Sequence, residues 1–319
     1  MKLGFAVQVL GRSGLKASDT RRWQNNPHLS VSLAYLHDVF AYLRQIDVRM
    51  YRMSSSLAPY VTHPALPHFH NQVVDCSDEL AAVGELARAD GLRLSVHPNA
   101  HVVLNSSDAA TAQRAMAELR IQAAILDYMG LGPEAVIILH VGGVYGDKYA
   151  AMRYFAQRYK QLDEQTRHRV VLENDDHSFT LGDTYAIYEE TGVRLVFDVL
   201  HDLCNPTPGT RFPKTLHLAL GTWPVTQTPK VHYSSPSTSI RMAETRGISG
   251  RRRRLRLPRT MQHADLIDPF AFIGFLRALP EQRPTDVMLE CRGKDLALLR
   301  LRKQLARLAP ELVPQFDIT

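Results

Sequence analysis

Apolar positions along this chain alternate between two spacings: short runs rich in β-branched residues, and longer stretches in which apolar residues recur every three to four positions. The short runs predict strands over 3–9, 48–53, 92–97, 135–140, 170–173, 194–198, 229–233 and 286–290. The longer stretches predict helices over 30–45, 78–90, 108–129, 148–161, 180–191 and 269–279, with a last one over 296–308. The sixth connection, 202–223, is rich in proline and threonine and offers only 214–220 as a short helix. Repeated strand, helix, strand units with right-handed crossovers build a parallel sheet, and eight of them favour closure over an open doubly wound sheet. The expected fold is therefore a single α/β domain spanning 1–319, a (β/α)8 TIM barrel.

Six of these runs stop on a metal-type ligand: His97, His140, Glu173, Asp198, His232 and Glu290. In such a barrel the carboxyl ends of different strands converge on one face, so residues far apart in sequence become neighbours. Three imidazoles and three carboxylates gathered there would bind two or more divalent cations, which points to a metal-dependent hydrolase.

Composition narrows the class further. With 319 residues, 45% hydrophobic and 22% charged, the chain can bury one sizeable core. No apolar run reaches the roughly 18 residues of a membrane span, and Met1-Lys2-Leu3-Gly4-Phe5 enters a strand pattern at once. A soluble, cytoplasmic protein with no membrane contact is expected. Cys76, Cys204 and Cys291 are scattered without CxxC spacing, against both a disulfide framework and a cysteine zinc site. The net charge of +6 is local: 241–259 holds eight arginines and one glutamate, which is +7 and leaves the remainder at −1. This segment reads as an insertion too charged to pack, a mobile loop that either grips phosphates or is simply solvated. No Walker-type loop is present, since Gly142-Gly143 lacks a following Lys-Ser/Thr; it shapes the loop beside His140 instead.

Five further runs occur in order along the chain: Arg52-Met53-Ser54-Ser55, Leu104-Asn105-Ser106, His140 through Lys148 (HVGGVYGDK), Leu172-Glu173-Asn174-Asp175-Asp176 and Lys230-Val231-His232-Tyr233-Ser234. Together with His263-Ala264-Asp265 and Met288-Leu289-Glu290 they resemble the ultraviolet damage endonuclease family. The resemblance implies a DNA repair enzyme that nicks double-stranded DNA immediately 5′ to a lesion, leaving a 3′-hydroxyl and a 5′-phosphate. It also implies manganese, two or three ions, in a barrel similar to that of endonuclease IV. Carried over by position, its ligand set falls on His97, His140, Glu173, Asp198, His201, His232, His263 and Glu290. Glu173 is the natural bridging carboxylate. His97 and His140 would complete one shell, with Asp198, His232 and Glu290 serving a second ion and His201 and His263 a third. Lys230, two residues before His232 on the same face, would be repelled by cations and is expected to be neutral or, as in the family, carboxylated.

Damage recognition departs from the family pattern. Where members show Gly-Gln and an aromatic after the His-Pro pair, this chain reads Asn99-Ala100-His101; Phe5 stands for a tyrosine and Arg292 for a lysine. Ala100 cannot hydrogen-bond, whereas His101 can stack and Asn99 can donate and accept. Lesion preference is expected to differ more than cleavage. Further DNA contacts are expected from Arg52, Tyr145, Lys148 and Tyr233 on the rim, in a monomer that needs no protein partner. Two rivals share these residues: a metal-dependent sugar isomerase or epimerase on the same barrel, and a lesion-binding protein with weak catalysis.

Overall fold

The structure, a computed structural model, describes residues 1–247 and 250–316. Ten strands form: β1 (Leu3–Ala6), β2 (Met50–Met53), β3 (Arg93–Val96), β4 (Val136–His140), β5 (Val170–Glu173), β6 (Leu195–Asp198), β7 (Lys230–Tyr233), β8 (Arg241–Gly247), β9 (Gly250–Arg256) and β10 (Asp286–Leu289). Eight of them pair in parallel and close into a barrel in the order β1-β10-β7-β6-β5-β4-β3-β2. The helices are α1 (Leu29–Gln45), α2 (Gln72–Asp75), α3 (Ser77–Ala89), α4 (Ala109–Tyr128), α5 (Lys148–Gln161), α6 (Glu164–Arg169), α7 (Leu181–Thr191), α8 (Val199–Cys204), α9 (Lys214–Gly221), α10 (Pro269–Ala278) and α11 (Lys294–Leu308). The predicted TIM barrel is the observed one.

Local chemistry explains where elements begin and stop. Asp108 and Thr180, placed inside helices by periodicity, are caps: Asp108 accepts from the amides of Ala110 and Thr111, and Thr180 with Asp183 forms a reciprocal capping box. The first strand is shorter than the apolar run suggests, because Val7 adopts φ 63° and the Gln8 amide turns back onto the Ala6 carbonyl (2.8 Å). In the sixth connection, α8 follows β6 without a break, a helix that the proline-rich composition downstream concealed.

Among the described residues the core has an apolar layer around the barrel and two smaller clusters, one of them Ala6, Met50 and Met288 from β1, β2 and β10. Between strands and helices lies the large apolar layer that includes Leu36, Leu119, Phe155 and Leu298. A separate cluster of Val136, Ile138, Val171, Val196 and Trp223 joins alternate positions of β4, β5 and β6, as a filled barrel interior requires. The buried Arg93–Asp286 ion pair (2.8 Å) crosses the barrel from β3 to β10. Among the described residues, no helix is long and apolar enough to cross a membrane.

The arginine-rich segment corrects the sequence reading. It is an antiparallel ribbon, β8 against β9, and not an unstructured loop. Charge prevents burial but not pairing, because two strands can bond the backbone groups that face each other while their outer edges stay hydrated. Cross-strand partners include Met242 with Leu255 and Glu244 with Arg253, the latter an ion pair of 2.9 Å.

Candidate metal centre

The barrel brings the strand-end residues together at its carboxyl rim. His140, Glu173 and Asp198 are the last residues of β4, β5 and β6; His97 and Glu290 lie one residue past β3 and β10; His232 is on β7. Glu173, almost fully buried, is the hub, and its two oxygens face different partners. Oε2 lies 3.2 Å from His97 Nε2 and 3.6 Å from His140 Nε2. Oε1 lies 2.7 Å from His232 Nδ1 and 3.7 Å from His201 Nδ1. His232 Nδ1 also reaches Glu290 Oε1 at 3.2 Å.

Besides Asp175–Asp176–His177 just past β5, three groups among the described residues, all sharing Glu173, have ligand atoms close enough to share an ion: His97–His140–Glu173, Glu173–Asp198–His201 and Glu173–His232–Glu290. The first matches the expected shell. The others redistribute it, because α8 swings His201 back beside Asp198 and leaves His232 with Glu290. His263 joins none of the three; its Nδ1 abuts the Glu290 carbonyl, and its ring lies 6.4 Å from that of His201. The donor set fits divalent cations: nitrogen and carboxylate ligands in a buried cluster, with Asp198 Oδ2 and His232 Nε2 buried and lacking any hydrogen-bond partner.

Burial and neighbouring charges pull the cluster's titrating groups in opposite directions. Burial raises Glu173, yet the imidazoles of His232 and His140 outweigh it and hold the carboxyl well below the usual range. Burial likewise opposes ionisation of Glu290, but Arg52 and His232 overcome it. Asp198 goes the other way: burial lifts it to about 6, against the pull of His201. Burial disfavours His201 protonation, but Asp198, Glu173 and the Asn174 carbonyl raise it to about 9. Burial pushes His140 down. Lys230, fully buried beneath His232 and beside Arg93 and Arg52, is pushed well below the ordinary lysine range, first by burial and then by those guanidiniums.

Several supporting residues show their roles only in three dimensions. Asn174 clamps β6 to β5: its Nδ2 donates to the Asp198 carbonyl (3.1 Å), and the Asp198 amide donates to its Oδ1 (2.9 Å). Asp175 caps the following turn through the amides of His177 and Phe179 (2.9 Å each). Arg52 points inward, as its strand-end position predicts, and pairs with Glu290. Gly142 has φ 115°, and a Cβ there would stand 2.2 Å from Asn105 Oδ1, while Asn105 Nδ2 donates to the Gly143 carbonyl (2.7 Å). The β4–α5 loop next to His140 is thus pinned to the β3–α4 loop.

The expected DNA contacts divide. Tyr145 is half exposed, and Asn99 and His101 line an open cavity of about 740 Å³ together with Arg21, Tyr60 and His63. Ala100 is exposed on the same loop. Phe5 does not reach a surface: it is fully buried edge-on to Tyr51. Tyr233 packs between Phe272 and Phe275, with only 4% of its surface exposed. Lys148 is bound to Asp183 at 2.6 Å.

Fold and cluster together define a barrel enzyme whose rim is furnished for divalent cations. A family model described as UV-endonuclease UvdE matches residues 17–313. Over 262 residues the chain is 32% identical to the UV DNA damage endonuclease of Bacillus pumilus, covering 82% of this chain and 76% of the relative. The crystal structure of SacUVDE superposes with a TM-score of 0.82 at 27% identity, over 97% of this chain and 99% of that one. Endonuclease IV from Thermus thermophilus shares the fold, with a TM-score of 0.58 at 14% identity over 96% and 100% of the two chains. This chain belongs to the UV-endonuclease UvdE family.

Proposed function

We propose that this enzyme hydrolyses the phosphodiester bond immediately 5′ to ultraviolet photoproducts in double-stranded DNA, and to abasic sites, leaving a 3′-hydroxyl and a 5′-phosphate. The observation that carries this reading is the split of Glu173, with Oε2 toward His97 and His140 and Oε1 toward His232 and His201. A carboxylate shared in this way suits adjacent cations. His97, His140, Asp198, His201, His232 and Glu290 with Glu173 would hold divalent ions, with manganese the proposed metal, which would neutralise the phosphate and activate water near neutral pH.

The protein's own groups do the rest. Asn174 fixes the Asp198 backbone, and Asp198 fixes the start of α8, so that two ligand-bearing strands are held in register. Arg52 balances Glu290 and keeps that carboxylate ionised. Burial favours the uncharged form of Lys230, and as a free amine it would take up carbon dioxide as a carbamate with release of one proton; Arg52 and Arg93 would offset the new negative charge. Lesion contact is assigned to Asn99, Ala100, His101 and Tyr145, and the proposed acting form is a monomer. Membership of the endonuclease family sets aside the sugar isomerase reading of the same barrel.

The test is cleavage of a 5′-labelled duplex carrying one cyclobutane dimer, in manganese and in chelator, beside an undamaged control. A manganese-dependent cut directly 5′ to the dimer, with an end that a polymerase extends, is the expected result. No cut at the dimer or at an abasic site would overturn the proposal. Glu173→Ala is expected to abolish cutting while duplex binding persists, which separates catalysis from a purely lesion-binding role.

A further inference from the structure

The rim carries one feature that the cation cluster does not use, the β8–β9 ribbon. Its root is stitched to the site: the Ser237 amide donates to the Gln262 carbonyl (2.6 Å), the Ala264 amide to the Ser235 carbonyl (2.8 Å), and Pro236 bridges His263. His263 abuts Glu290. The ribbon therefore leaves the barrel directly beside the candidate metal centre, while its extensive contacts are those between its own two strands.

Pairing runs from Arg241 with Arg256 to Gly247 with Gly250, and strand alternation assigns the faces. Positions 241, 252, 254 and 256, all arginine, share one face with Ala243 and Thr245. The ribbon's only acidic residue, Glu244, is on the other face, paired with Arg253 beside Met242 and Leu255. By register, four arginines and no acid fall on one face. Seven residues per strand at about 3.3 Å give a ribbon roughly 23 Å long, the rise of about seven base pairs of duplex. Because the chain outside 241–259 sums to −1, this segment supplies the whole positive excess.

We infer that the arginine face of the ribbon is a DNA arm, which lies along the phosphate backbone of the duplex beside the lesion and holds it without regard to sequence. The inference rests on the reading of the chain as a DNA endonuclease and adds to it the element that provides the phosphate grip. A duplex is the partner because phosphate charge repeats regularly along the reach of the ribbon, and because the root sits where the scissile strand must come.

The test measures binding of a labelled, undamaged duplex of about 30 base pairs against salt, in chelator, for the native enzyme and a variant with Arg241, Arg252, Arg254 and Arg256 all replaced by Gln. The slope of log K on log salt is expected to become shallower by about three to four in the variant, so that between about 50 and 200 mM salt the native enzyme loses on the order of a hundredfold more affinity. The double change R252Q/R254Q, a milder perturbation, is expected to give about half the slope change. Irradiated duplex should show the same differences, because the arm reads phosphate and not damage. K303Q/R307Q, on the exposed face of α11 toward the opposite end of the barrel, serves as the control and keeps the native slope. A native slope in the ribbon variants, or an equal loss in the control, overturns the arm. A native enzyme that nicks irradiated DNA while the ribbon variants keep its slope removes the arm alone; one that neither binds nor nicks removes the endonuclease reading with it.

Discussion

Asp198 and His201 share a single helical turn: the Asp198 carboxylate accepts the His201 amide at 2.8 Å and so caps α8, while the two side chains stand 3.9 Å apart in the same candidate cation group. One residue both starts the helix and donates to the site. Burial lifts Asp198 to about 6, so its charge is costly while no cation is present. D198N keeps an oxygen for the cap and removes the charge. It is expected to melt at or above the native temperature in chelator, and to lose most of any rise on adding manganese. D198A, which cannot cap, should be about 1 kcal/mol less stable than D198N. Thermal unfolding of the three proteins, with and without metal, checks both statements.

Cation binding to the folded rim should stabilise the whole protein by mass action. With free manganese at about a hundred times its dissociation constant, the gain is about 2.7 kcal/mol, a rise of several degrees in melting temperature. Glu173 belongs to all three groups, so E173Q is expected to erase this rise and to cut nicking by at least about a thousandfold, a barrier increase of about 4 kcal/mol. An undiminished metal-dependent rise in E173Q would show that the cluster is not where the ion binds.

Gly142 holds a positive φ against the Asn105 side chain, two residues after His140. G142A is expected to cost about 1 to 3 kcal/mol, from backbone strain and the forced movement of Asn105. Because the same loop carries Tyr145, activity on damaged duplex should fall with it. G142A measured by chemical denaturation, with nicking assayed well below its midpoint, separates the two effects.

Asp19 gives a pH dependence away from the rim. Its hydrogen bonds from Arg21, helped by the His28 amide and opposed by burial, lower it from 3.8 to about 2. A carboxyl depressed in the folded state contributes stability that is complete above its unfolded value and disappears as pH falls through the folded one. The contribution, about 1 to 2 kcal/mol with allowance for the half-exposed Arg21, should therefore be present at neutral pH and vanish between about pH 4 and 2. D19N is expected to be less stable than the native protein at pH 7, with the gap closing below pH 3. A constant gap across that range would assign the effect to packing.

Strand positions, barrel closure and six rim residues were determined by the sequence itself. A strand's period of two and a helix's of 3.6 are local, and the barrel rule converts strand ends into neighbours without further information. The grouping of His97, His140 and Glu173 is what the family resemblance implies, and the adjacency of β3, β4 and β5 accounts for it. What only the tertiary structure decided depends on contacts between distant segments. The turn of α8 pairs His201 with Asp198, the inward reach of Arg52 neutralises Glu290, and helix packing buries Phe5 and Tyr233. The arginine-rich segment shows the limit most clearly. Its charge said that it would not be buried, but the register that sets Glu244 against Arg253 arises from backbone pairing between β8 and β9, which composition does not encode.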